Sequence, residues 1–308
     1  MTSTVITDLS AFSHGLADLV EKTAAGVVAV KAAAYRVVSG LILGGDLIAV
    51  SNHTLRREDR IPIQTWDGTQ AEATILGRDP TIDLGLLKVE GRSLNPLKAA
   101  DPASLKAGAL AAVVGLTLDA GPSASLGILG AVGGSRPTWR GGTLDHFFRL
   151  DVNLYPSQSG AAVVNAEGHL IGLATPALLR HSAVAVPLPT LNRIADELLQ
   201  QGRIRHGYLG VGLHPVAVAA SLREKLGATA EMGLILLSVE PDSPADKAGW
   251  LVGDILISLD SKAIGDIEEL QTALRGNTVG RSLKASLLRG GQLIETQITV
   301  SERKQKGS

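Results

Sequence analysis

The segment Leu150–Asn165 reads LDVNLYPSQSGAAVVN, and the second of its two serines, Ser159, lies directly before a run of small and apolar residues. The pattern predicts a strand, a tight loop and a second strand. A serine hydroxyl is a poor nucleophile at neutral pH unless a base lies beside it. A catalytic interpretation of Ser159 therefore requires a general base elsewhere in the chain and a carboxylate that orients this base.

The composition indicates globular domains and excludes several classes of function. The 308 residues are enough for about two domains. They are 45% hydrophobic but only 3% aromatic, so the cores must be built from aliphatic side chains. The net charge of −1 argues against a nucleic acid or an anionic membrane as the main partner. The chain has no cysteine, which excludes disulfides and thiol chemistry.

The sequence shows no targeting or membrane-spanning pattern. Its N-terminus lacks the basic, apolar and small-residue regions of a signal peptide. Its uncharged runs are shorter than the ~20 apolar residues that a spanning helix needs. As the sequence stands, we expect a soluble cytoplasmic protein. A periplasmic or cell-envelope protein is expected instead if a targeting segment was removed.

The first two hundred residues consist mainly of short apolar runs separated by turn residues. An N-terminal segment, residues 1–25, has helical spacing at Leu16–Lys22, which predicts a short amphipathic helix. The runs that follow predict a mainly β domain over 26–202, a barrel or a sandwich. They include Val27–Val30, Leu47–Val50, Leu84–Val89, Ala111–Val114 and Leu126–Val132. Leu191–Gln201 predicts an amphipathic helix that ends this domain.

A second unit follows a basic linker at residues 203–206. It contains β-type runs at Tyr208–Val211, Gly233–Val239, Ile255–Leu259, Leu283–Leu288 and Leu293–Val300, and helical spacing at Asp266–Arg275. This mixture predicts a small α/β domain over 207–301. The polar residues 302–308 predict a disordered tail.

His53 and Asp83, which both precede Ser159 in the chain, carry the groups that a serine nucleophile needs. His53 follows the apolar run that ends at Val50, and Asp83 directly precedes the run Leu84–Val89. His53 would accept the proton of Ser159, and Asp83 would hold the imidazole in the correct tautomer. The order His, Asp, Ser is that of chymotrypsin-like barrels and differs from that of α/β-hydrolases. Spacing alone leaves a structural role open for each residue.

The motifs around these residues resemble those of the HtrA serine proteases, the DegP-, DegQ- and DegS-like proteins. They read AVSNH up to His53, DPTIDLGLLKV around Asp83 and SGAAVVNAEGHLIGLAT from Ser159 onwards. The second unit resembles the PDZ domain of that family at Tyr208–Val211 and at Ser243–Gly249. The resemblance covers nearly the whole chain and implies a chymotrypsin-like double β-barrel followed by one PDZ domain.

The resemblance implies an ATP-independent serine endopeptidase that cleaves unfolded or exposed polypeptide in protein quality control. Ser159 would be the nucleophile, His53 the general base and acid, and Asp83 the orienting carboxylate. The backbone N–H groups of Ser157 and Ser159 would form the oxyanion hole. Asn153 would lie at the floor of the specificity pocket, where the lack of a negative charge favours small to medium apolar substrate residues over Lys or Arg. A role as a solvated or hydrogen-bonded loop residue stays open for Asn153.

The resemblance also implies partners for two backbone segments. Ile171–Thr175 is expected to be an edge strand that pairs with substrate, with Leu173 and Ala174 as binding residues. In the PDZ-like unit, the turn at Tyr208, Leu209, Gly210 and Val211 would hold the terminal carboxylate of a peptide that adds as a strand. Family resemblance further implies a homotrimer, with residues 10–20 as one contact. No metal and no cofactor are expected.

The departures from the family pattern occur at the reacting centre. The family usually has Gly-Asn-Ser-Gly-Gly around the nucleophile, whereas this chain has Ser157, Gln158, Ser159, Gly160 and Ala161. Serine adopts glycine-type backbone angles at a cost of roughly 1–2 kcal/mol. Loss of one oxyanion donor typically costs about 10²–10³ in rate. Two interpretations follow: a protease whose activity is weak or ligand-gated, or a catalytically degenerate HtrA-like protein that acts as a PDZ peptide-binding or chaperone-like scaffold.

Overall fold

The chain forms two compact units, residues 1–204 and residues 205–308. A computed structural model describes residues 2–33, 36–56, 60–138, 140–179, 181–201, 207–220, 231–274 and 278–302. The predicted linker 203–206 lies outside the described residues.

The first unit begins with a closed barrel of six antiparallel strands. These are β1 (Val27–Ala33), β2 (Arg36–Gly44), β3 (Leu47–Ser51), β4 (Ile61–Thr65), β5 (Gln70–Asp79) and β6 (Leu84–Val89). Around the barrel the strands follow the order β1-β2-β3-β6-β5-β4. The end of β3 and the start of β6 are therefore neighbours, with Ser51 opposite Leu84.

A second closed barrel of six strands follows in the same unit. The strands in this part of the chain are β7 (Leu110–Thr117), β8 (Gly121–Gly133), β9 (Arg136–Pro137), β10 (Thr143–Leu144), β11 (Phe147–Asp151), β12 (Ala162–Val164), β13 (Leu170–Thr175) and β14 (Ala183–Pro187). The barrel order is β11-β14-β13-β12-β7-β8, and β9 pairs with β10 as a separate hairpin. The predicted double β-barrel is confirmed.

Strands β1, β12, β13 and β14 read as nearly continuous apolar runs because residues on both of their faces are buried. Along β1, Val28 and Val30 pack inside the first barrel, while Val27 and Ala29 belong to the core between the barrels. Successive side chains of a strand point to opposite faces. A strand that separates two cores therefore needs apolar residues at every position.

Two long helices pack on the barrels. The first, α1 (Thr2–Ala24), contacts β1, β7 and β8, and is much longer than the short helix that the sequence predicts. The second, α2 (Leu188–Gln201), crosses β5 at Gly77, where a Cβ would lie 2.5 Å from Leu198 Cδ2. In the described part of the chain, helices lack the combined length and apolarity required to span a bilayer.

The second unit is a small α/β domain, as predicted. Its elements are β15 (Gly207–Tyr208), β16 (Val211–Ala217), β17 (Met232–Val239), α3 (Pro244–Lys247), β18 (Ile255–Leu259), β19 (Lys262–Ala263), α4 (Ile267–Ala273), β20 (Ser282–Arg289), β21 (Gln292–Thr299) and β22 (Ser301–Glu302). The main sheet has the order β16-β17-β18-β20-β21. Glu302 pairs with Gly207, so regular structure extends one residue into the predicted tail, and residues 303–308 lie outside the described residues.

An ion pair between a buried carboxylate and a partly exposed guanidinium connects the residue before β18 to the end of β20. Asp254 is 1% exposed and receives two hydrogen bonds from Arg289, at 2.7 Å and 2.6 Å, and one from the Leu251 N–H at 2.8 Å. Burial opposes ionisation of this carboxyl, but the Arg289 guanidinium and the Leu251 N–H outweigh burial and hold the pKa of Asp254 below its ordinary value of 3.8. The carboxylate therefore stabilises the domain at neutral pH.

We expect Arg289→Met to destabilise the second unit by about 3 kcal/mol, because it leaves a buried carboxylate without its cation. Hydrogen exchange in Ile255–Leu259 measures this loss.

The depressed pKa of Asp254 means that the stabilisation is complete above the unfolded-state pKa and is lost as the pH falls through the folded-state pKa. The difference from wild type should thus be full at pH 7 and shrink only in strong acid. Lys284→Met is the control, because Lys284 forms an exposed pair with Glu295. Equal losses of stability in Arg289→Met and Lys284→Met would contradict the stabilising role of the Arg289–Asp254 pair.

Candidate active site

His53 and Asp83 meet where two adjacent strands of the first barrel end and begin. β3 continues into a 3₁₀ turn at Asn52–Thr54, and β6 starts directly after Asp83. His53 Nδ1 lies 2.8 Å from Asp83 Oδ2, and the His53 backbone N–H donates to Asp83 Oδ1 at 2.9 Å. Because a carboxylate only accepts hydrogen bonds, Nδ1 carries the proton in this contact. Nε2 of the neutral ring is then the basic nitrogen.

A further donor to the carboxylate comes from the second barrel. Thr175, the last residue of β13, donates its hydroxyl to Asp83 Oδ2 at 2.5 Å. Both residues are 0% exposed, so protein donors replace water around the charge. No local sequence pattern distinguishes Thr175 from other threonines at strand ends, and sequence reasoning did not identify it.

Ser159 lies on the loop between β11 and β12, and this loop is tied to the first barrel. The Ser39 N–H in β2 donates to the Ser159 carbonyl at 3.2 Å, and the Ser39 hydroxyl donates to the Ser157 carbonyl at 2.8 Å. At Gly160, where φ is +86°, a Cβ would lie 2.2 Å from the Ser39 carbonyl oxygen and 3.3 Å from the Ser51 nitrogen. The structure thus brings the serine loop to the end of β3, where the turn that carries the histidine begins.

The residues directly before Ser159 form a 3₁₀ turn, Pro156–Gln158. In this turn the Ser159 N–H donates to the Pro156 carbonyl at 3.4 Å. Ser157 has no positive φ, since the described non-glycine residues with positive φ lie elsewhere. One of the two predicted oxyanion donors, the N–H of Ser159, is therefore directed at the backbone of its own loop.

The side chain of Gln158 holds this turn from the protein interior. It is 0% exposed, and its Oε1 accepts the Tyr155 N–H at 3.1 Å and the Ser125 hydroxyl at 2.9 Å. Within the described part of the chain, Gln158 Nε2 is buried without a partner. A buried donor of this kind typically costs about 1–3 kcal/mol. This cost lowers the stability of the turn in its present arrangement.

The predicted specificity residues occupy two different environments. Asn153 is exposed on the loop after β11. Leu173 and Ala174 are 0% exposed, and β13 pairs with β12 on one side and with β14 on the other. The prediction that Ile171–Thr175 is an edge strand is therefore wrong, because both of its backbone edges are used inside the barrel. The first exposed residue after β13 is Pro176.

In the second unit, the carbonyl groups of the β15–β16 turn point into the domain. The Leu209 carbonyl accepts the Ala245 N–H at 2.9 Å, and the Gly210 carbonyl accepts the Glu240 N–H at 2.8 Å. The C=O and N–H of a planar trans peptide point in opposite directions. The N–H groups of Gly210 and Val211 therefore face away from these partners.

This turn opens into an edge strand. Among the described strands of the main sheet, β16 pairs only with β17, and α4 contacts β16. Gly210 has φ +81°, and a Cβ there would lie 2.1 Å from Ser243 Cβ, so glycine is required. The Tyr208 hydroxyl donates to the Glu240 carboxylate beside the turn. The arrangement leaves one sheet edge next to a helix, with outward N–H groups at its start.

Two stretches of the chain match known protein families. Residues 38–173 match the trypsin-like peptidase domain, and residues 207–300 match the PDZ domain. The chain is 29% identical over 270 residues to the periplasmic pH-dependent serine endoprotease DegQ of Escherichia coli (strain K12), covering 85% of this chain and 58% of that protein. It is 31% identical over 249 residues to a probable periplasmic serine endoprotease, DegP-like, of Pseudomonas fulva (strain 12-X), covering 78% and 51%. The chain thus spans about half to three fifths of the length of these relatives.

Solved structures share both domains in the same order. The serine endoprotease from Yersinia pestis superposes with a TM-score of 0.74 at 25% identity, covering 92% of this chain and 97% of that chain. The HtrA-type protease AlgW with tripeptide superposes with a TM-score of 0.75 at 25% identity, covering 94% and 97%. The fold is therefore a trypsin-like peptidase domain followed by one PDZ domain.

Ser157→Gly tests whether a residue other than glycine at the centre of the Pro156–Gln158 turn limits the reaction. Glycine avoids the cost of roughly 1–2 kcal/mol that serine meets in a glycine-type backbone conformation, so the Pro156–Ser157 peptide should rotate more readily and release the Ser159 N–H. We expect about a tenfold faster reaction of Ser159 with a fluorophosphonate probe. Ser135→Gly is the control, because Ser135 is exposed in a loop outside the site. Unchanged labelling in a folded Ser157→Gly variant would exclude this limit.

Proposed function

We propose that this chain, which belongs to the HtrA family of trypsin-fold serine proteases, is an ATP-independent serine endopeptidase that cleaves unfolded or exposed polypeptide. The observation that carries the proposal is the contact of 2.8 Å between His53 and a fully buried Asp83, placed beside the loop of Ser159. An aspartate buried in this way has a clear use if it orients a catalytic base.

In the proposed mechanism each residue of the triad has one role. His53 Nε2 takes the proton from Ser159 Oγ while this oxygen attacks the substrate carbonyl carbon. Asp83 holds the ring orientation and stabilises the imidazolium that forms. The imidazolium then gives its proton to the leaving amine, and the acyl-enzyme remains. Water, activated by the same histidine, hydrolyses the acyl-enzyme and restores Ser159.

The oxyanion hole of the proposed enzyme needs a rearranged loop. The N–H groups of Ser157 and Ser159 are its donors, and the 3.4 Å contact to the Pro156 carbonyl engages one of them. Rotation of the Pro156–Ser157 peptide would release that donor. We therefore propose a protease whose basal activity is low and rises when a substrate or a ligand stabilises the rotated loop. Loss of one donor typically costs about 10²–10³ in rate, which sets the scale of the activation.

The proposed substrate preference is for small to medium apolar residues. Asn153, six residues before the nucleophile, brings no negative charge to the pocket expected there. Since β13 is not an edge strand, substrate backbone would pair with the chain that follows it, starting at Pro176, which is exposed. A preference for Lys or Arg would need a carboxylate at the floor of this pocket, and the amide of Asn153 does not supply one.

The PDZ domain is the proposed site for C-terminal peptides. The outward N–H groups of Gly210 and Val211, with that of Leu209, would hold the terminal carboxylate, and Tyr208 begins this loop. The peptide would extend the sheet at β16. Unfolded polypeptides and exposed C-termini are therefore the proposed partners, and a nucleic acid is not.

The proposed assembly follows from exposed apolar residues, and the proposed compartment follows from the names of the relatives. On α1, Leu9 is 69% exposed and Phe12 is 51% exposed, which suits a contact between copies of the chain in the proposed homotrimer. Both relatives are named as periplasmic endoproteases, one of them as a probable one, which supports the periplasmic or cell-envelope location over the cytoplasmic one.

Labelling with a fluorophosphonate probe tests the proposed activity. The wild type should be labelled and should digest unfolded casein, and Ser159→Ala should abolish both, because the probe and the substrate react with the same hydroxyl. The S159A variant is isosteric apart from one oxygen, so its unfolding temperature serves as the control for folding. Absence of labelling and digestion in the wild type, also with added C-terminal peptides, would favour the degenerate scaffold instead.

Peptide binding to Ser159→Ala protein tests the PDZ site without cleavage. A peptide with an apolar C-terminal residue and a free carboxylate should bind at least tenfold more tightly than its C-terminal amide, because only the carboxylate accepts several charge-assisted hydrogen bonds. Fluorescence polarisation of a labelled peptide measures both affinities. Equal affinities would place recognition elsewhere than in the Tyr208–Val211 loop.

A further inference from the structure

The turn that carries Asp83 has a strained backbone. Asp83 has φ +58°, in the left-handed region, which costs a residue with a Cβ roughly 1–2 kcal/mol. Its N–H makes a long hydrogen bond of 3.4 Å to the Pro80 carbonyl. The turn therefore needs support from the surrounding fold to hold the carboxylate against His53.

One part of this support lies at the start of the turn. Asp79 is 1% exposed, and its Oδ1 accepts both the N–H of Thr81 at 2.9 Å and the hydroxyl of Thr81 at 2.6 Å. A carboxylate that accepts from the residue two positions later forms an Asx turn. This pair fixes the orientation of Thr81, two residues before Asp83.

The other part comes from the loop that joins β9 to β10, in the hairpin between strands β8 and β11 of the second barrel. The Thr138 hydroxyl donates to the Thr81 carbonyl at 2.6 Å and accepts the Gly142 N–H at 3.1 Å. The Thr138 N–H donates to the Gly142 carbonyl at 2.9 Å. Arg140 Nη1 donates to the Pro80 carbonyl at 3.4 Å. Two consecutive carbonyl groups of the turn are thus held by one loop.

Gly142 in the same loop lies very close to the turn. A Cβ at position 142 would lie 2.5 Å from Ile82 Cγ2 and 2.6 Å from Thr81 Oγ1, so only glycine allows this approach. Ile82 is 1% exposed and belongs to the core between the barrels. The turn is therefore enclosed between that core on one side and Gly142 on the other.

We propose that Thr138 is a positioning residue for Asp83, and that Thr138 and Gly142 form a clamp through which the second barrel sets the place of the catalytic carboxylate. The proposal rests on the proposed function, because it assigns Thr138 a part in that reaction. Thr138 acts through Thr81 and the strained turn. Together with Thr175, it makes the geometry of the Asp83–His53 pair depend on the alignment of the two barrels.

Two substitutions at Thr138 in the full-length chain test the clamp. Thr138→Val removes the hydroxyl and keeps the shape, and Thr138→Ser keeps the hydroxyl. We expect Thr138→Val to lower kcat about 10- to 100-fold with KM changed less than about twofold, since small misplacements of a catalytic group act on the chemical step. Thr138→Ser should retain the wild-type kcat. The low-field proton NMR resonance of His53 Nδ1–H should shift or broaden in Thr138→Val alone.

Thr190→Val is the matched control for loss of a buried threonine hydroxyl. Thr190 is 0% exposed, accepts the Asp145 N–H at 2.8 Å and donates to Asp145 Oδ2 at 2.8 Å, at the start of α2. The Thr190→Val variant should be less stable than the wild type but should have the wild-type kcat and the wild-type His53 resonance. Gly142→Ala should reproduce the effect of Thr138→Val by displacing the turn. The clamp is excluded if Thr138→Val has the wild-type kcat and the wild-type His53 resonance. It is also excluded if Thr138→Ser or Thr190→Val lowers kcat and changes this resonance as much as Thr138→Val does.

The NMR resonance separates this proposal from the proposed function. If the wild type shows neither labelling nor turnover, the proposed protease activity fails. The Asp83–His53 contact still exists in that case, and the shift of its resonance in Thr138→Val, with none in Thr138→Ser, supports the clamp. Turnover by the wild type together with an unchanged resonance in Thr138→Val overturns the clamp alone.

Discussion

The burial of the Asp83 carboxylate is the constraint on which the first unit depends. A carboxylate at 0% exposure costs several kcal/mol unless donors replace its water. His53 provides two of these donors from the first barrel, and Thr175 provides a third from the second. Neither barrel alone satisfies the charge. The two barrels must therefore close on one another before the carboxylate has its full set of partners.

The packing of the barrels explains how this alignment is kept. Each barrel has its own interior, and a third core lies between them, to which Leu41 and Leu86 contribute from one barrel and Val114 and Val184 from the other. Since side chains alternate along each strand, the same strands supply both an interior and the shared core. A shift of one barrel against the other would disturb the shared core and the donors of Asp83 together.

The loop of the nucleophile is held in different ways on the two sides of Ser159. After Ser159 it is pinned, because Gly160 fits against the Ser39 carbonyl with no room for a Cβ. Ser39 also accepts the Leu116 N–H at 3.0 Å and donates to the Ser157 carbonyl, so it connects both barrels to the loop. Before Ser159 the loop is a 3₁₀ turn with an exposed proline. The backbone contacts after Ser159 leave no room for a Cβ at residue 160, whereas the proposed oxyanion donors belong to the 3₁₀ turn and to its C-terminal end.

The sequence by itself determined the order of the domains, most of the strands and the identity of the His53–Asp83 pair. These features follow from local periodicity and from short motifs, which can be recognised in the sequence without knowledge of the fold. Only the tertiary structure decided that β13 is interior, that the Ser159 N–H faces the Pro156 carbonyl, and that Thr175 and Thr138 serve the aspartate turn. The physical reason is the range of the contacts: Thr175 lies 92 residues from Asp83, and Thr138 lies 57 residues from Thr81. Hydrogen bonds over such separations depend on how two closed barrels meet, and no window of sequence contains that information.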